Sequence, residues 1–94
     1  MRLIWSRAAM RDLDEVAAYI ANDSEQAAYA VAERIDKEAK LLSRFPRSGR
    51  IGRVAGTRER VVGKTPYILA YRVASGRVRI LRVYHGARKW PARF

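Results

Sequence analysis

The spacing of apolar residues changes at Pro46, and this change divides the chain into a helical half and a strand-like half. Before Pro46, apolar residues recur at steps of three and four, which is the period of an amphipathic helix. After it, they alternate or run together over short stretches rich in Val, Ile and Tyr, as in β-strands. This order predicts an α+β fold, in which helices cover one face of a sheet.

The first half predicts one strand and two helices. Residues 2–5 are a short apolar run typical of a strand, and Ser6 can cap a helix over residues 7–21. Asp23 with Gln26 three residues later resembles a capping box, which predicts a second helix over residues 24–43. The expected buried positions are Met10, Leu13, Val16, Ala17 and Ile20 in the first helix, and Ala28, Val31, Ile35, Ala39 and Leu42 in the second. The connector is short, so the helices form an antiparallel hairpin.

The second half predicts a loop and three strands. Residues 46–57 contain three glycines and a proline and are expected to form a loop. Strands are expected over residues 58–62, 67–74 and 77–85, with Ser75-Gly76 as a two-residue hairpin turn. The predicted order is β-α-α-β-β-β: a small antiparallel sheet with the helical hairpin packed on one face. At 94 residues, one domain spanning 1–94 is expected.

Charge is distributed unevenly along the chain. Residues 1–43 hold six basic and eight acidic side chains, whereas residues 44–94 hold fourteen basic side chains and one acid, Glu59. So strong a positive field repels itself unless a polyanion or an acidic partner neutralises it. Nucleic acid, a ribonucleoprotein and an acidic protein are the expected partner types, and a merely solvated surface is the alternative.

The composition argues against several classes of function. The chain has no Cys and one His, so a disulfide framework, a thiol nucleophile and a dedicated zinc site are not expected, and neither is a cofactor. No apolar stretch is long enough to span a membrane and no secretory h-region is visible. We therefore expect a cytosolic protein that works through its surface.

No complete nucleophile–base set is evident in the sequence. If the chain cleaved phosphodiesters, an acid, a base and phosphate-binding cations would have to be drawn from His85, Arg88, Arg58 and Glu59. The alternative for His85 is a structural ring that packs beside Tyr84 and Trp90 and makes a backbone hydrogen bond.

The residues expected to bind a target or a polyanion are nearly all cations of the second half. Arg88, Lys89 and Trp90 combine charge with a stacking ring, which suits single-stranded nucleic acid. The alternative for Trp90, which precedes a proline, is an anchor in the core or at its rim. Arg72 interrupts an apolar strand, so a buried or half-buried guanidinium there would need Glu59 or a backbone carbonyl as its partner. The full set is Arg47, Arg50, Arg53, Arg58, Arg60, Arg72, Arg88, Lys89 and Trp90.

Several motifs, taken in order, resemble the RelE/ParE superfamily of bacterial toxins along essentially the whole chain. They are Trp5-(x)7-Leu13, Tyr19-Ile20, Pro46-(x)2-Gly49-Arg50, Gly56-Thr57-Arg58-Glu59, Pro66-Tyr67-Ile68-(x)2-Tyr71-Arg72-Val73 and His85-Gly86-Ala87-Arg88-Lys89-Trp90-Pro91. The resemblance implies the toxin of a type II toxin–antitoxin pair, in the bacterial cytoplasm. It also implies a hetero-oligomer with a ParD-like antitoxin, which has a DNA-binding N-terminal part and a C-terminal tail that wraps the toxin.

The superfamily contains two functional branches. RelE-like members cleave messenger RNA on the ribosome, and ParE-like members inhibit DNA gyrase. The ribonuclease branch typically places an arginine before its Leu-x-Tyr segment, where this chain has Ile68 before Leu69-Ala70-Tyr71. His85 matches a position where some ribonucleases place an acid. The Pro66-Tyr67-Ile68 and Gly56-Thr57-Arg58-Glu59 segments are more similar to ParE. Gyrase inhibition without an enzymatic activity is thus expected, with the ribonuclease or an inactive antitoxin-binding module as alternatives.

Overall fold

The computed structural model describes all 94 residues and contains two helices and five strands. In chain order they are β1 (Arg2–Trp5), α1 (Arg7–Ala21), α2 (Glu25–Arg44), β2 (Arg50–Ile51), β3 (Arg58–Val61), β4 (Tyr67–Ala74) and β5 (Arg77–His85). The strands form one sheet in the order β1-β5-β4-β3-β2. The α+β layout is confirmed, and no predicted helix or strand is missing.

Two features of the sheet differ from the sequence prediction. β1 pairs with β5 in parallel, so the sheet is mixed and not antiparallel throughout. Parallel neighbours need a long crossover connection, and here everything between β1 and β5 provides it. In addition, the predicted loop contains the two-residue strand β2, which pairs with Arg58 and Glu59 of β3. A strand of two residues within a glycine-rich segment is too short to show an alternating pattern in the sequence, so it could not be predicted.

The helices pack on one face of the sheet, and the core lies between the two layers. Leu69, Tyr71 and Ile80 of the central strands are fully buried there against Ile35 and Leu42 of α2. We call this the helix face of the sheet and the opposite side its outer face. Alternation along β4 then places Ile68, Ala70 and Arg72 on the outer face.

The predicted apolar stripe of α1 is confirmed at Leu13, Val16 and Ile20, which pack against the core, but it is wrong at Met10. Met10 is 55% exposed, whereas Ala9 and the charged Asp12 are buried. Ala9 is buried because its small side chain allows close packing, and Asp12 is buried because it has hydrogen-bond partners on β5. The spacing of apolar residues alone predicts neither. Ser6 caps α1 as predicted, accepting a hydrogen bond from the Ala9 N–H group at 3.0 Å. The cap of α2 is Ser24 and not the predicted Asp23, because the Ser24 hydroxyl accepts from the Ala27 N–H group.

The hairpin between β4 and β5 turns at Ser75 and Gly76, as predicted. Both residues have positive φ, at 53° and 71°, which is the backbone conformation of a type I′ turn. Further along, Leu81 is an extra residue on β5, because Tyr71 pairs with Ile80 and Ala70 pairs with Arg82. From this bulge to the turn, each residue of β4 pairs with one residue of β5 without a further shift.

Candidate functional site

The outer face of the sheet is strongly cationic and contains one acid. Eight of the nine acidic residues lie on the helices or in the connector between them, and the ninth is Glu59 on β3. The outer face carries exposed arginines from every strand except β3, and the C-terminal segment 86–94 packs over part of it. The uneven charge in the sequence therefore corresponds to a concentration of positive charge on one face of the sheet.

Glu59 is buried at 2% exposure, and two arginines of the preceding loop surround its carboxylate. Arg50 donates to Oε1 from Nη2 at 3.0 Å, while Arg53 donates to Oε2 from its backbone N–H at 2.7 Å and from Nε at 3.1 Å. Burial alone would raise the pKa of Glu59, but these donors outweigh it and hold the pKa below the ordinary value. A carboxylate saturated in this way is a poor proton acceptor, and it anchors the loop.

The loop is also held from the core side by Tyr71. The buried Tyr71 hydroxyl accepts from the Gly49 N–H group at 2.9 Å and donates to the Pro46 carbonyl at 2.7 Å. A Cβ atom on residue 49 would lie 2.5 Å from that hydroxyl and 2.7 Å from the Glu59 carbonyl oxygen, so only glycine fits. Arg58 adds a hydrogen bond to the Gly49 carbonyl at 2.9 Å. Residues 46–57 are therefore tied to the core by Tyr71 and to the sheet by Arg58 and Glu59.

Aromatic rings fasten the C-terminal segment to the outer face. Trp90 packs edge-on against Tyr84, with 4.9 Å between ring centroids, and Phe94 contacts both rings. The Arg53 guanidinium lies 4.0 Å from the Trp90 centroid, and that of Arg88 lies 4.4 Å from the Tyr84 centroid. The Trp90 Nε1–H group is buried without a partner. Exposed Lys89 and Arg93 flank this cluster.

His85 lies at the exposed end of β5, away from Glu59. Its ring packs edge-on against Tyr67 at 5.7 Å, and its Nδ1 accepts the Ala87 N–H group at 3.1 Å. The expected backbone hydrogen bond is present, but the ring contact is Tyr67 and not Tyr84 or Trp90. With Nδ1 accepting, the neutral ring carries its proton on Nε2. His85 and Arg88 line one open concavity of about 450 Å³ between α1 and the end of the sheet.

The structure does not bring the four candidate catalytic residues together. His85 pairs with Tyr67 and Arg58 with Tyr71, so they lie on opposite sides of β4 and about 13 Å apart along it. Glu59 follows Arg58 in β3, and its carboxylate forms ion pairs with Arg50 and Arg53 of the preceding loop. Ile68, at the position of the missing arginine, is 6% exposed and lies on the outer face. Only His85 and Arg88 share a concavity.

The remaining predicted binding residues divide by face. Arg60 donates to Glu38 of α2 at 3.0 Å and so belongs to the helix face. Arg47 and Arg72 are exposed, and Arg72 is neither buried nor half-buried, because β3 begins at Arg58 and covers no residue beyond Tyr71. The Arg72 guanidinium does bond a backbone carbonyl, that of Gly56, at 3.3 Å. Arg50, Arg53, Arg88, Lys89 and Trp90 gather around the outer face and its C-terminal cover.

Sequence reasoning missed four outer-face arginines and one buried acid. Arg2, Arg77, Arg79 and Arg82 alternate with core residues along β1 and β5, and this alternation was the available signal. Asp12 is 7% exposed and accepts two hydrogen bonds from Arg82 and one from the Val83 N–H group. Nothing in the sequence distinguishes it from Asp14.

Neither a metal centre nor a membrane span is part of this fold. The structure brings no three metal-ligating side chains of His, Cys, Asp or Glu together. Neither helix has the combination of length and apolar character that crossing a bilayer requires.

Comparison with known proteins agrees on one family. Residues 3–90 match the family model described as the ParE toxin of the type II toxin–antitoxin system parDE. A toxin candidate of Sinorhizobium fredii, Y4kP, is 44% identical over 90 residues, which cover 96% of this chain and 93% of that protein. Toxin RelE2 of Caulobacter vibrioides is 38% identical over 87 residues, covering 93% and 97%.

A solved structure supports the same assignment. The chromosomal ParDE toxin–antitoxin system from P. aeruginosa contains a chain that superposes with a TM-score of 0.81 and 27% identity, covering 90% of this chain and 95% of that one. The two-layer architecture is thus shared with a chain of that solved toxin–antitoxin system. This chain belongs to the ParE toxin family of type II toxin–antitoxin systems.

Proposed function

We propose that this toxin arrests growth by inhibiting DNA gyrase through protein–protein contact, without an enzymatic activity of its own. The proposal rests on the side chains that the outer face presents. A ribonuclease would need a phosphate-binding cation and a free acid or base there. Ile68 is a buried isoleucine there, and Glu59 is neutralised by Arg50 and Arg53. Transition-state stabilisation of a cleaved phosphate requires donors aimed at it, and an isoleucine provides none.

Purified toxin is expected to inhibit the supercoiling of relaxed plasmid by gyrase, or to accumulate cleaved gyrase–DNA complexes. The reason is that a target bound by surface contact is blocked at stoichiometric toxin. The measurement is an agarose-gel assay with toxin titrated against gyrase, and toxin premixed with its antitoxin is the control. Full supercoiling at a several-fold excess of toxin would contradict the proposal.

A ribosome-dependent messenger RNA endonuclease is the second candidate. It is favoured by one structural observation and one relative: His85 and Arg88 line the same concavity, and toxin RelE2 is 38% identical. In this case His85 would act as the acid and Arg88 would bind the phosphate, whereas Arg58 lies too far along β4 to reach the same group. Glu59 would contribute only through the loop that it anchors.

The His85→Ala variant separates the two candidates. Gyrase inhibition predicts that toxicity persists, because His85 is exposed and its loss removes one ring contact and one hydrogen bond. The measurement is colony formation after induction without antitoxin, together with an assay for cuts in translated messenger RNA. Lys64→Ala, an exposed change in a neighbouring turn, is the matched control. Loss of toxicity in a folded His85→Ala protein would favour the ribonuclease, and normal growth with wild-type toxin would indicate an inactive antitoxin-binding module.

As a type II toxin, the chain has an antitoxin partner, and we infer that its tail is acidic and ParD-like. The net charge of the chain is +11, and charge complementarity speeds association and disfavours wrong partners. The apolar anchors for the tail would come from the helical hairpin, where Tyr19 and Tyr29 are 74% and 73% exposed. Gyrase and ribosome both lie in the bacterial cytoplasm, which is where the hetero-oligomer would form.

A further inference from the structure

Four arginines meet on the outer face at the hairpin end of the sheet. Alternation places the side chains of all four on this face, and all four are exposed. We call this set the hairpin-end patch: Arg2, Arg72, Arg77 and Arg79.

Strand register places like charges directly opposite each other within the hairpin-end patch. Arg72 is the cross-strand partner of Arg79, and Arg2 is the partner of Arg77. Opposed side chains in a sheet have Cβ atoms about 5 Å apart, so each pair is repulsive. None of the four arginines forms an ion pair, since the six ion pairs in the structure use other residues. The only side-chain hydrogen bond in the patch runs from Arg72 to a carbonyl.

The patch is built on regularly paired backbone. Its arginines sit on regular ladder positions of three adjacent strands, closed by the tight turn at Ser75 and Gly76. Strand geometry spaces the Cα atoms of these arginines by about 7 Å along a strand and about 5 Å between strands. The guanidinium fork of each arginine suits phosphate, whose oxygens can accept two parallel hydrogen bonds from one arginine.

The surroundings of the patch favour a nucleic-acid backbone over a protein. Protein interfaces are anchored by aromatic or large apolar side chains. The large exposed apolar residues of this chain belong to the termini, the helices and the β2–β3 side: Met1, Met10, Tyr19, Tyr29, Leu41, Phe45, Ile51, Val61 and Phe94. Single-stranded nucleic acid is bound through stacking rings, and the patch contains no aromatic residue. A backbone that presents charge at high density, about one phosphate per 1.7 Å of duplex axis, suits it best.

We propose that the hairpin-end patch binds the phosphate backbone of duplex DNA without reading its sequence. Two phosphate groups placed between the opposed arginines would remove the repulsion within each pair. This binding does not depend on gyrase being the target of the toxin, and it is a second contact that the toxin could make in a protein–DNA complex.

Fluorescence anisotropy of the full-length chain with a labelled 20-base-pair duplex, measured over a salt series, tests the proposal. The Arg77→Gln/Arg79→Gln variant is expected to lower affinity at least about tenfold at low salt. It should also reduce the slope of log K against log salt by about 1.8, or 0.9 per lost contact. The matched control is Arg7→Gln/Arg11→Gln, which removes two exposed arginines of α1 that form no ion pair. For this control, the affinity should stay within about twofold of the wild type and the slope within about 0.5.

Two further arms make the result decisive. The Arg2→Gln/Arg72→Gln variant should reproduce the loss, which guards against a folding defect in one variant. Equal losses in the patch and control variants would overturn the proposal, because they would reveal a general charge effect. Tighter binding of a 20-nucleotide single strand than of the duplex would also overturn the proposal. If the patch variants lost binding of a polyglutamate peptide but kept binding of the duplex, the patch would be assigned to an acidic protein instead.

Discussion

Replacing Asp12 by alanine is expected to lower the free energy of unfolding by about 3–5 kcal/mol, the cost of leaving buried hydrogen-bonded charge without its partner. The Asp12 carboxylate bridges α1 and β5. It accepts from Arg82 Nε at 2.7 Å, from Arg82 Nη2 at 2.9 Å and from the Val83 N–H group at 2.9 Å. Removing it leaves a buried backbone donor and a guanidinium unsatisfied at the same time.

The position of Asp12 explains why so large an effect is expected. β1 ends at Trp5, so β5 has no neighbouring strand on that edge beyond Ile80. Ser6 covers the next two carbonyl groups, because its N–H group donates to Ile80 and its hydroxyl donates to Leu81, both at 2.9 Å. Asp12 then pairs with the Val83 N–H group. The helix therefore continues the hydrogen bonding that β1 has stopped providing, and the hydrogen bond to Asp12 raises the pKa of Arg82.

Asp14→Ala provides the matched control for Asp12→Ala. Both substitutions remove one negative charge from α1, but Asp14 is exposed and forms no ion pair. Its loss is expected to change stability by less than about 0.5 kcal/mol. Urea unfolding followed by circular dichroism measures both. If Asp12→Ala lost no more stability than Asp14→Ala, the carboxylate would not hold helix and strand together.

Much of the fold could be predicted because its signals are local. Apolar spacing, Ser6, Pro46 and the Ser75-Gly76 turn each act over a few residues, and the predicted bounds of β1, α1, β4 and β5 agree with the structure. The parallel β1–β5 pair and strand β2 were not predictable, because strand pairing depends on contacts far apart in sequence. The exposure of Met10 has the same origin, since α1 is oriented by its contacts with β5.

The candidate site was predictable in its charge but not in its geometry. The excess of cations in residues 44–94 correctly indicated a cationic surface, yet Glu59 and Arg60 carry charge in neighbouring positions and face opposite sides of the sheet. Which arginines are neutralised depends on where the few acids lie in space. Glu59 binds Arg50 and Arg53, and Asp12 binds Arg82, while the hairpin-end patch has no acid nearby. Pairing across the fold, and not composition, decides which cations remain free for a partner.

Replacing Glu59 by glutamine is expected to lower the free energy of unfolding by about 2–3 kcal/mol. Breaking a buried ion pair by removing one partner costs about 3–5 kcal/mol, but here the released charges can return to water. The side chains of Arg50 and Arg53 are 56% and 41% exposed, which reduces the penalty. Glu33→Gln is the matched control, because its carboxylate is 47% exposed and forms an i,i+4 pair with Lys37 that is worth about 0.3–0.5 kcal/mol.

The loss should be largest at neutral pH and should shrink in acid. The pKa of Glu59 is lowered in the folded state from its ordinary value of 4.5, so the charged carboxylate stabilises the fold above that pH. Its contribution falls as the pH drops through the folded-state pKa. Wild type should therefore lose stability between about pH 5 and pH 3 more steeply than Glu59→Gln, and the two curves should converge at the acid end. Parallel curves over this range would mean that the Glu59 carboxylate is not the titrating group.

Loosening of the loop can be measured independently of global unfolding. Glu59 orders residues 50–53 through both arginines, and Arg53 in turn stacks on Trp90. In Glu59→Gln, trypsin should cut after the exposed arginines 47, 50 and 53 faster than in wild type under native conditions, whereas Glu33→Gln should be cut at the wild-type rate. Trp90 fluorescence, read in a Trp5→Phe background, should report the release of Arg53 at the same time. Unchanged cleavage together with unchanged fluorescence would show that the Tyr71 hydrogen bonds alone hold the loop, and that Glu59 is not its anchor.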